Sequence, residues 1–315
     1  MSAPVVVGAD GSPAALAAVR WAADDAVRRD TGLRIVHVTE PWVFDLPLTT
    51  PPGFHDSRTR QARAVLAEAA GAARDRVPGI GVLTAEAIGD PRRELLAEAG
   101  KAQVLVVGSR GLGGFAGLLL GSVSIGVAGH AGCPVVAVRA AGNEEPGEPG
   151  EPGERRERRE IVVGHDGSPY SEAALDYAFE EAALRGALVR AVYAWQVSAF
   201  LPMLASYTPE LDRVYDLGLR AAKEQLRPWR EKYPAVEVRD AMVRAHPVAA
   251  LVEASAAADL VVVGSRGRGA VGAAVLGSVG HGVLHHARCP VAVVRSRYPA
   301  PVPDRDEEPE GGRPA

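Results

Sequence analysis

Two stretches of this chain bring together residue types that suit one chemistry, the cradling of an anion by backbone. The first runs Gly108-Ser109-Arg110-Gly111-Leu112-Gly113-Gly114-Phe115-Ala116-Gly117-Leu118-Leu119-Leu120-Gly121-Ser122. It follows the apolar run 104–107 and leads into a helix-like run over 122–130. Glycine lets the backbone take positive φ and come close to a ligand. The free N–H groups and the positive dipole end of a new helix favour phosphate. The stretch returns as Gly264-Ser265-Arg266-Gly267 through Gly277-Ser278.

Two common phosphate motifs do not account for it. A Walker loop needs a Lys and then a Ser or Thr after its last glycine, and neither stretch contains Lys. Gly267-Arg268-Gly269-Ala270-Val271-Gly272 satisfies the dinucleotide fingerprint, but it follows the fourth strand of its half rather than the first. Arg288-Cys289-Pro290 also stands in the region where a ribose-binding acid belongs. His281 and His285 lie four apart on an expected helix, a spacing that can hold a metal. No carboxylate or further ligand stands nearby in sequence and the first half has no such pair, so no metal is assigned. No Ser-His-Asp or Cys-His arrangement is suggested, and no catalytic residue is assigned.

The elements that must position these loops are written twice. Gly108 and Gly264 differ by 156 positions, as do Asp10 and Asp166, Pro13 and Pro169, Pro91 and Pro247, Gly121 and Gly277, and Cys133 and Cys289. A constant offset means a duplicated domain with almost no net insertion. In the first half, strands are expected at 4–8, 33–38, 82–88, 104–107 and 134–138, and helices at 14–29, 57–77, 91–100 and 122–130. Ser12 with Pro13, and Ser168 with Pro169, are expected to cap the first helix of each half. In the second half, strands are expected at 161–164, 188–194, 260–263 and 290–294. Strands alternating with helices predict a parallel sheet with right-handed crossovers. Runs this apolar need helices on both faces. The fold class is therefore α/β: two repeated, open, doubly wound domains at 1–140 and 160–297. Residues 141–159, rich in Pro, Gly, Glu and Arg, read as a disordered linker, and 298–315 as a disordered tail. The apolar loops 41–55 and 195–209 suit a lid, a partner contact or plain packing.

Composition narrows the function classes. Hydrophobic residues make up 47% and charged residues 23%, as in a globular protein. A net charge of −4 gives no basic surplus to displace counterions, so a nucleic-acid partner is not expected. With 5% aromatics, stacking platforms for single strands are not expected either. Cys133 and Cys289 sit at matching positions in separate halves and read as buried apolar residues, which fits a reducing cytoplasm. No signal peptide is read at the N-terminus. Residues 112–129 carry no charge, but six glycines and the polar twin of this stretch argue against a membrane span.

The full spacing is more specific than any glycine triplet. Gly108, two residues, Gly111, nine residues, Gly121-Ser122 recurs as Gly264, Gly267, Gly277-Ser278. This resembles the G-2x-G-9x-G-[S/T] motif of the ATP-binding universal stress proteins. Asp10 after the first strand, Gly89-Asp90-Pro91, and His130-Ala131-Gly132-Cys133-Pro134-Val135 with its twin His286-Ala287-Arg288-Cys289-Pro290-Val291 are similar to that family too. The resemblance covers nearly everything except the linker and tail. It implies an adenine nucleotide alpha hydrolase-like fold with strand order 3-2-1-4-5 in each half. It also implies ATP, with Mg as a companion ion, and a nucleotide-dependent stress-response regulator. The family usually pairs through fifth strands, so 134–138 and 290–294 are expected to pair within this chain, covering both edges. A further homodimer and a protein partner of unstated kind are left open.

By that resemblance, Gly8, Ala9, Asp10 and Val38 would hold adenine and ribose, with Val107 lining the pocket beside Gly108. Gly111, Gly121, Ser122 and Val123 would offer N–H groups to the phosphates, and Arg110 a charge-assisted contact. The counterparts are Gly164, His165, Asp166, Ala194, Val263, Gly264, Arg266, Gly267, Gly277, Ser278 and Val279. Ala194 in place of Val and His165 in place of Ala set the second pocket apart. Other readings stand beside these. Asp10 also suits a turn or cap, the glycines a tight turn without ligand, and the two arginines a solvated surface. A slow ATPase, a nucleotidyl-transfer enzyme and a nucleotide-free scaffold remain alternatives to the regulator.

Overall fold

The structure is a computed structural model and describes residues 2–40, 54–111, 120–140, 159–194, 208–267 and 276–296. The first half runs β1 (Val5–Gly8), α1 (Pro13–Arg28), β2 (Leu33–Thr39), α2 (Phe54–Arg76), β3 (Val82–Ile88), α3 (Pro91–Ala99), β4 (Val104–Gly108), α4 (Ser122–His130) and β5 (Val135–Val138). The second runs β6 (Glu160–His165), α5 (Glu172–Arg185), β7 (Leu188–Ala194), α6 (Thr208–Gln225), α7 (Arg227–Lys232), β8 (Val238–Val243), α8 (Pro247–Ser255), β9 (Leu260–Gly264), α9 (Ser278–His286) and β10 (Val291–Val294).

The valine runs form central strands because both faces are covered. Val5 and Val7 join the layer that contains Ala18 and Val19 of α1 and Leu66 of α2. Val6 joins the opposite layer with Leu95 of α3 and Val127 of α4. A strand buried on both sides needs an apolar residue at every position, which removes the period-two alternation. Helix starts follow their caps: Ser12 Oγ accepts from the Ala15 N–H at 3.1 Å, and Asp90 Oδ1 from the Arg93 N–H at 2.8 Å.

Ten strands form one sheet in the order β3-β2-β1-β4-β5-β10-β9-β6-β7-β8. Each half has the order 3-2-1-4-5 and is parallel throughout. The halves join where β5 and β10 pair antiparallel, with Val136 opposite Ala292. That pairing converts two would-be edges into interior strands.

Three expectations differ at element ends. Phe54, His55, Thr208 and Pro209, expected in loops, already belong to α2 and α6. Arg159, expected in the linker, accepts from the Leu188 N–H at 2.9 Å. Ser168 does not cap a helix: Pro169–Ser171 form a 3-10 turn before α5, without a side-chain cap bond. Its hydroxyl donates to Asp166 Oδ1 at 2.5 Å instead. The remainder of both apolar loops, linker residues 141–158 and residues 297–315 lie outside the described residues, as do 112–119 and 268–275 within the glycine-rich stretches. Among the described residues no helix is long and apolar enough to cross a membrane.

Behind the β5–β10 join, α1 and α5 share a buried charge cluster. Arg29 bonds Asp25 at 2.8 Å, Glu180 at 2.6 Å, and also Glu181. Arg185 bonds Glu181 at 2.6 Å and reaches Asp25 at 3.4 Å. Asp25 and Glu181, and likewise Arg29 and Arg185, are related by the 156-residue offset, so the cluster has a pseudo-twofold axis. The guanidiniums also cover rings of the other half, Arg185 over Trp21 at 5.1 Å and Arg29 over Tyr177 at 5.6 Å. On the other face, Arg139 donates to the Leu284 carbonyl at 2.8 Å and to that of His285, and Arg295 donates to the His130 carbonyl at 3.2 Å. Each half thus supplies a cation to the negative end of the other half's last helix.

Burial first, and the neighbouring Glu181 carboxylate second, push Asp25 up to about 6. Burial also pushes on Glu181, but Arg185 and Arg29 outweigh it and hold that carboxyl below its ordinary range. The folded chain therefore holds a proton at Asp25 that an unfolded chain, with the ordinary value of 3.8, releases. This contribution favours folding below both values and is lost as pH rises through about 6. The Glu181 contribution has the opposite sign and is lost only as pH falls through its own lowered value. Melting curves recorded from about pH 8 to about pH 5 should therefore gain less stability on acidification for Asp25→Asn than for wild type. An equal slope for the two proteins would place the proton elsewhere.

Candidate functional site

In an open parallel sheet, a crevice forms at the carboxyl ends of strands where the strand order reverses. Here the reversal lies between β1 and β4, and again between β6 and β9. Gly8, Ala9 and Asp10 stand at the end of β1, and Gly108 ends β4. Gly11 and Gly167, at φ +85° and +74°, turn the chain from strand toward helix in the two halves.

Several expected residues converge. A Cβ on Gly111 would lie 2.5 Å from Asp10 Oδ2, so a larger residue there would push that carboxylate aside. Asp10 Oδ1 accepts from the Ser12 N–H at 2.9 Å, so the carboxylate also builds the turn. The Ser12 hydroxyl donates to the Arg110 carbonyl at 3.2 Å, tying the start of α1 to the same loop. The Gly121 N–H donates to the Ser109 carbonyl at 2.8 Å, which brings the start of α4 alongside. Gly108 is required by packing, since a Cβ there would meet the Ala14 and Ala15 backbone at 2.8 Å.

Gly121 differs from Gly108. Its φ of −82° suits any residue, and a Cβ would meet only ordinary contacts of 3.6 Å and beyond among the described residues. The chain places glycine at the N-cap of α4 although the packing of the described residues does not demand it. Gly121 has no side chain to accept from the first turn, where a Ser, Thr, Asp or Asn N-cap accepts from N2 or N3, and among the described residues no cap bond replaces it. Gly277 repeats all of this at α9, with φ −68° and contacts of 3.5 Å and beyond. Ser122 and Ser278, the first helical residues, are both exposed, while Val123 and Val279 pack partly against the apolar layer.

The other expected residues hold the frame. Val38 and Ala194 are half-buried near the ends of β2 and β7, and pack on the same layer as Val107 and Val263. Gly8 and Gly164 lie under Leu95 and Leu251, where a Cβ would stand 3.1 and 2.9 Å away. Arg110 and Arg266 are half-buried. In the second half, a Cβ on Gly267 would lie 2.9 Å from Asp166 Oδ2. The Gly277 N–H donates to the Ser265 carbonyl at 2.8 Å. His165 is buried, with Nδ1 3.2 Å from Gln225 Oε1 and its ring edge-on to Tyr193 at 5.6 Å. Burial pushes its pKa down.

Sequence reasoning passed over three side chains. His37 reaches the Ala9 carbonyl through Nδ1 at 2.8 Å. Ser124 donates to the Gly108 carbonyl at 2.7 Å. Gln225 bridges His165 and the Ser168 carbonyl. Ser124 sits two residues into α4, so its position beside the loop was available from the motif; the other two depend on tertiary approach. The rings of His281 and His285 lie 4.5 Å apart on α9. Among the described residues no group of three or more His, Cys, Asp or Glu side chains is placed to hold a metal ion. Cys133 and Cys289 are buried, and burial pushes the Cys133 thiol up to about 11.

Each half is a doubly wound α/β unit with a switch point between its first and fourth strands. A universal stress protein from Archaeoglobus fulgidus shares the fold, with a TM-score of 0.65 and 20% identity over 94% of this chain and 97% of that one. The sequence profile of the Universal stress protein family matches residues 1–139 and 157–295. Universal stress protein Rv2005c of Mycobacterium tuberculosis is 36% identical over 295 residues, covering 92% of this chain and 96% of its own length. Universal stress protein Rv2623 of the same organism is 37% identical over 299 residues, covering 92% and 96%. The chain belongs to the universal stress protein family, with two family repeats in one polypeptide.

The two glycines predict opposite outcomes. Gly108→Ala should cost about 1–3 kcal/mol in chemical denaturation, because a buried overlap with helix backbone cannot relax cheaply. Gly121→Ser, at an N-cap where serine and glycine differ by only a few tenths, should stay within about 0.5 kcal/mol of wild type.

Proposed function

We propose that this protein binds an adenine nucleotide, ATP in the first instance, and acts as a nucleotide-dependent regulator in the cytoplasm. The observation that carries the reading is the repeated uncapped helix start, with a glycine at Gly121 and Gly277 that the described packing does not require. A bare first turn facing the end of a parallel sheet is where phosphate gains most from N–H groups and helix dipole. Phosphate oxygens would accept from the N–H groups at Ser122 and Val123, and the Ser122 hydroxyl would add a donor. Arg110 would supply the positive charge that a lysine supplies in a Walker loop. Asp10, held beside Gly111, would accept from the sugar or base. Gly8, Ala9, Val38 and Val107 would wall that end of the pocket. The second half would use Gly164, His165, Asp166, Ala194, Val263, Gly264, Arg266, Gly267, Gly277, Ser278 and Val279 in the same roles. Membership of the universal stress protein family, over both repeats, supports the reading.

Binding without turnover suits the groups at the site. The donors would surround an anion, and Asp10 Oδ1 is already engaged by the Ser12 N–H. Occupancy would then alter the contacts of the loops that follow β4 and β9, which is what a partner would sense.

The test is mass spectrometry of nucleotide released on denaturing the purified protein. Wild type should release ATP in stoichiometric amount. Gly121→Asp and Gly277→Asp should each release less, and the double variant almost none, because a carboxylate at the cradle repels phosphate. Undiminished ATP in a folded double variant would overturn the site.

A further inference from the structure

Among the described residues the sheet has two free edges, β3 and β8, because β5 and β10 cover each other. The 156-residue offset lets the two edges be compared position by position. Leu83, Thr84 and Ile88 of β3 are exposed. Their twins in and just after β8 are Arg239, Asp240 and Arg244, also exposed. Charges on an edge strand discourage pairing with another chain. Those of β8 have fixed partners. Arg239 bonds Glu237 at 2.8 Å, Asp240 bonds Arg230 at 2.7 Å, and the Arg244 guanidinium lies 4.2 Å from the Tyr215 ring. No such guard protects β3. Its one charge is Glu86. Ile88 and Leu83 are 68% and 67% exposed, the highest values for large apolar side chains among the described residues. The backbone of β3 shows which groups face outward. The Gly81 carbonyl accepts from the Leu33 N–H and the Gly89 N–H donates to the Thr39 carbonyl, both at 3.0 Å. Odd-numbered residues therefore turn their polar groups to β2, and Val82, Thr84, Glu86 and Ile88 turn theirs to the open edge.

We propose that β3 pairs antiparallel with β3 of a second copy of this chain, about a two-fold axis at Ala85, to give a closed dimer with one continuous sheet. The strand is self-complementary in that register. Val82 falls opposite Ile88, Leu83 opposite Ala87, and Thr84 opposite Glu86. The residues with outward polar groups then meet one another, and each such pair exchanges two N–H···O bonds. Ile88 covers Val82, and Leu83 lies on the same face as Ala85, which packs on an apolar layer. Glu86 meets a Thr84 hydroxyl, so no like charges stand opposite. Other two-fold registers fit less well. An axis at Glu86 sets two carboxylates face to face, and an axis at Thr84 puts Ile88 opposite residue 80, outside the strand. An axis between residues sets outward groups against groups already bonded to β2. An isologous contact closes at two copies, and the guarded β8 edge offers no site for further growth. The proposal does not depend on the nucleotide-binding reading.

Sedimentation velocity of the full chain, without nucleotide and over a range of concentrations, tests it. Wild type should shift from one chain to two as concentration rises, and stop there. Leu83→Arg with Ile88→Arg, which copies the guards of β8 onto β3, should raise the dimer dissociation constant about tenfold or more. Thr84→Pro removes an outward N–H, which a folded edge strand tolerates, and should leave a monomer; circular dichroism checks that each variant is folded. Thr84→Lys sets an ammonium opposite each Glu86 and should tighten the dimer severalfold, a gain that damage to the fold does not produce. A wild type that stays monomeric, or grows beyond two copies, would overturn the proposal. So would a dimer that persists unchanged in folded Thr84→Pro or in the double arginine variant. No tightening in Thr84→Lys would overturn the axis at Ala85.

Discussion

A helix that starts on glycine has no N-cap side chain to accept from the N–H groups of its first turn. At Gly121 and Gly277 this happens twice, at positions where the described backbone would tolerate a capping side chain. Glycine in place of a good capping side chain costs only a few tenths of a kcal/mol per helix. The rest of each half is arranged around that opening. Strand order puts the starts of α4 and α9 beside the ends of β1 and β6, where an aspartate stands. Gly111 and Gly267 lack the Cβ that would collide with that aspartate. Gly108 admits the backbone of α1 against the end of β4. Each glycine removes a different obstacle, and together they leave backbone donors and a carboxylate at one end of one sheet.

The join between the halves fixes the two openings relative to each other. Because β5 and β10 run antiparallel, the carboxyl ends of the two parallel sets point in opposite directions along one continuous sheet. The two candidate sites are therefore at opposite ends of the strands. The buried cluster of Asp25, Arg29, Glu181 and Arg185 links the first helices of the two halves, and Arg139 and Arg295 link the last ones. A buried ion cluster is a poor source of net stability but is intolerant of a lost partner. Here it favours one mutual position of the halves, since a slip in the strand pairing would leave a charge unpaired.

Much of the fold was legible because its causes are local or repetitive. Valine runs betray strands covered on both faces, Ser12-Pro13 and Asp90-Pro91 mark helix starts, and the 156-residue offset exposes the duplication. The strand order came through the family resemblance rather than from any residue. Ser168 was misjudged because Ser168-Pro169 is identical in sequence to Ser12-Pro13. The surroundings differ: the Ser168 hydroxyl donates to Asp166, and Gln225 reaches the Ser168 carbonyl from across the fold. The charge cluster was missed for a similar reason. Asp25 with Arg29 and Glu181 with Arg185 each read as an ordinary pair four residues apart on a helix. Only the approach of α1 to α5 makes them buried. A charged pair embedded in an otherwise apolar helix face, repeated at the duplication offset, was the clue available.

The central claim is that backbone at two uncapped helix starts is shaped to take phosphate. A crystal structure of the protein grown with Mg-ATP tests it most directly. The account predicts phosphate oxygens within hydrogen-bond distance of the N–H groups at Ser122 and Val123, with Asp10 engaging the nucleoside end. A nucleotide seated elsewhere, with the first turns of α4 and α9 capped by the chain's own side chains, would contradict it.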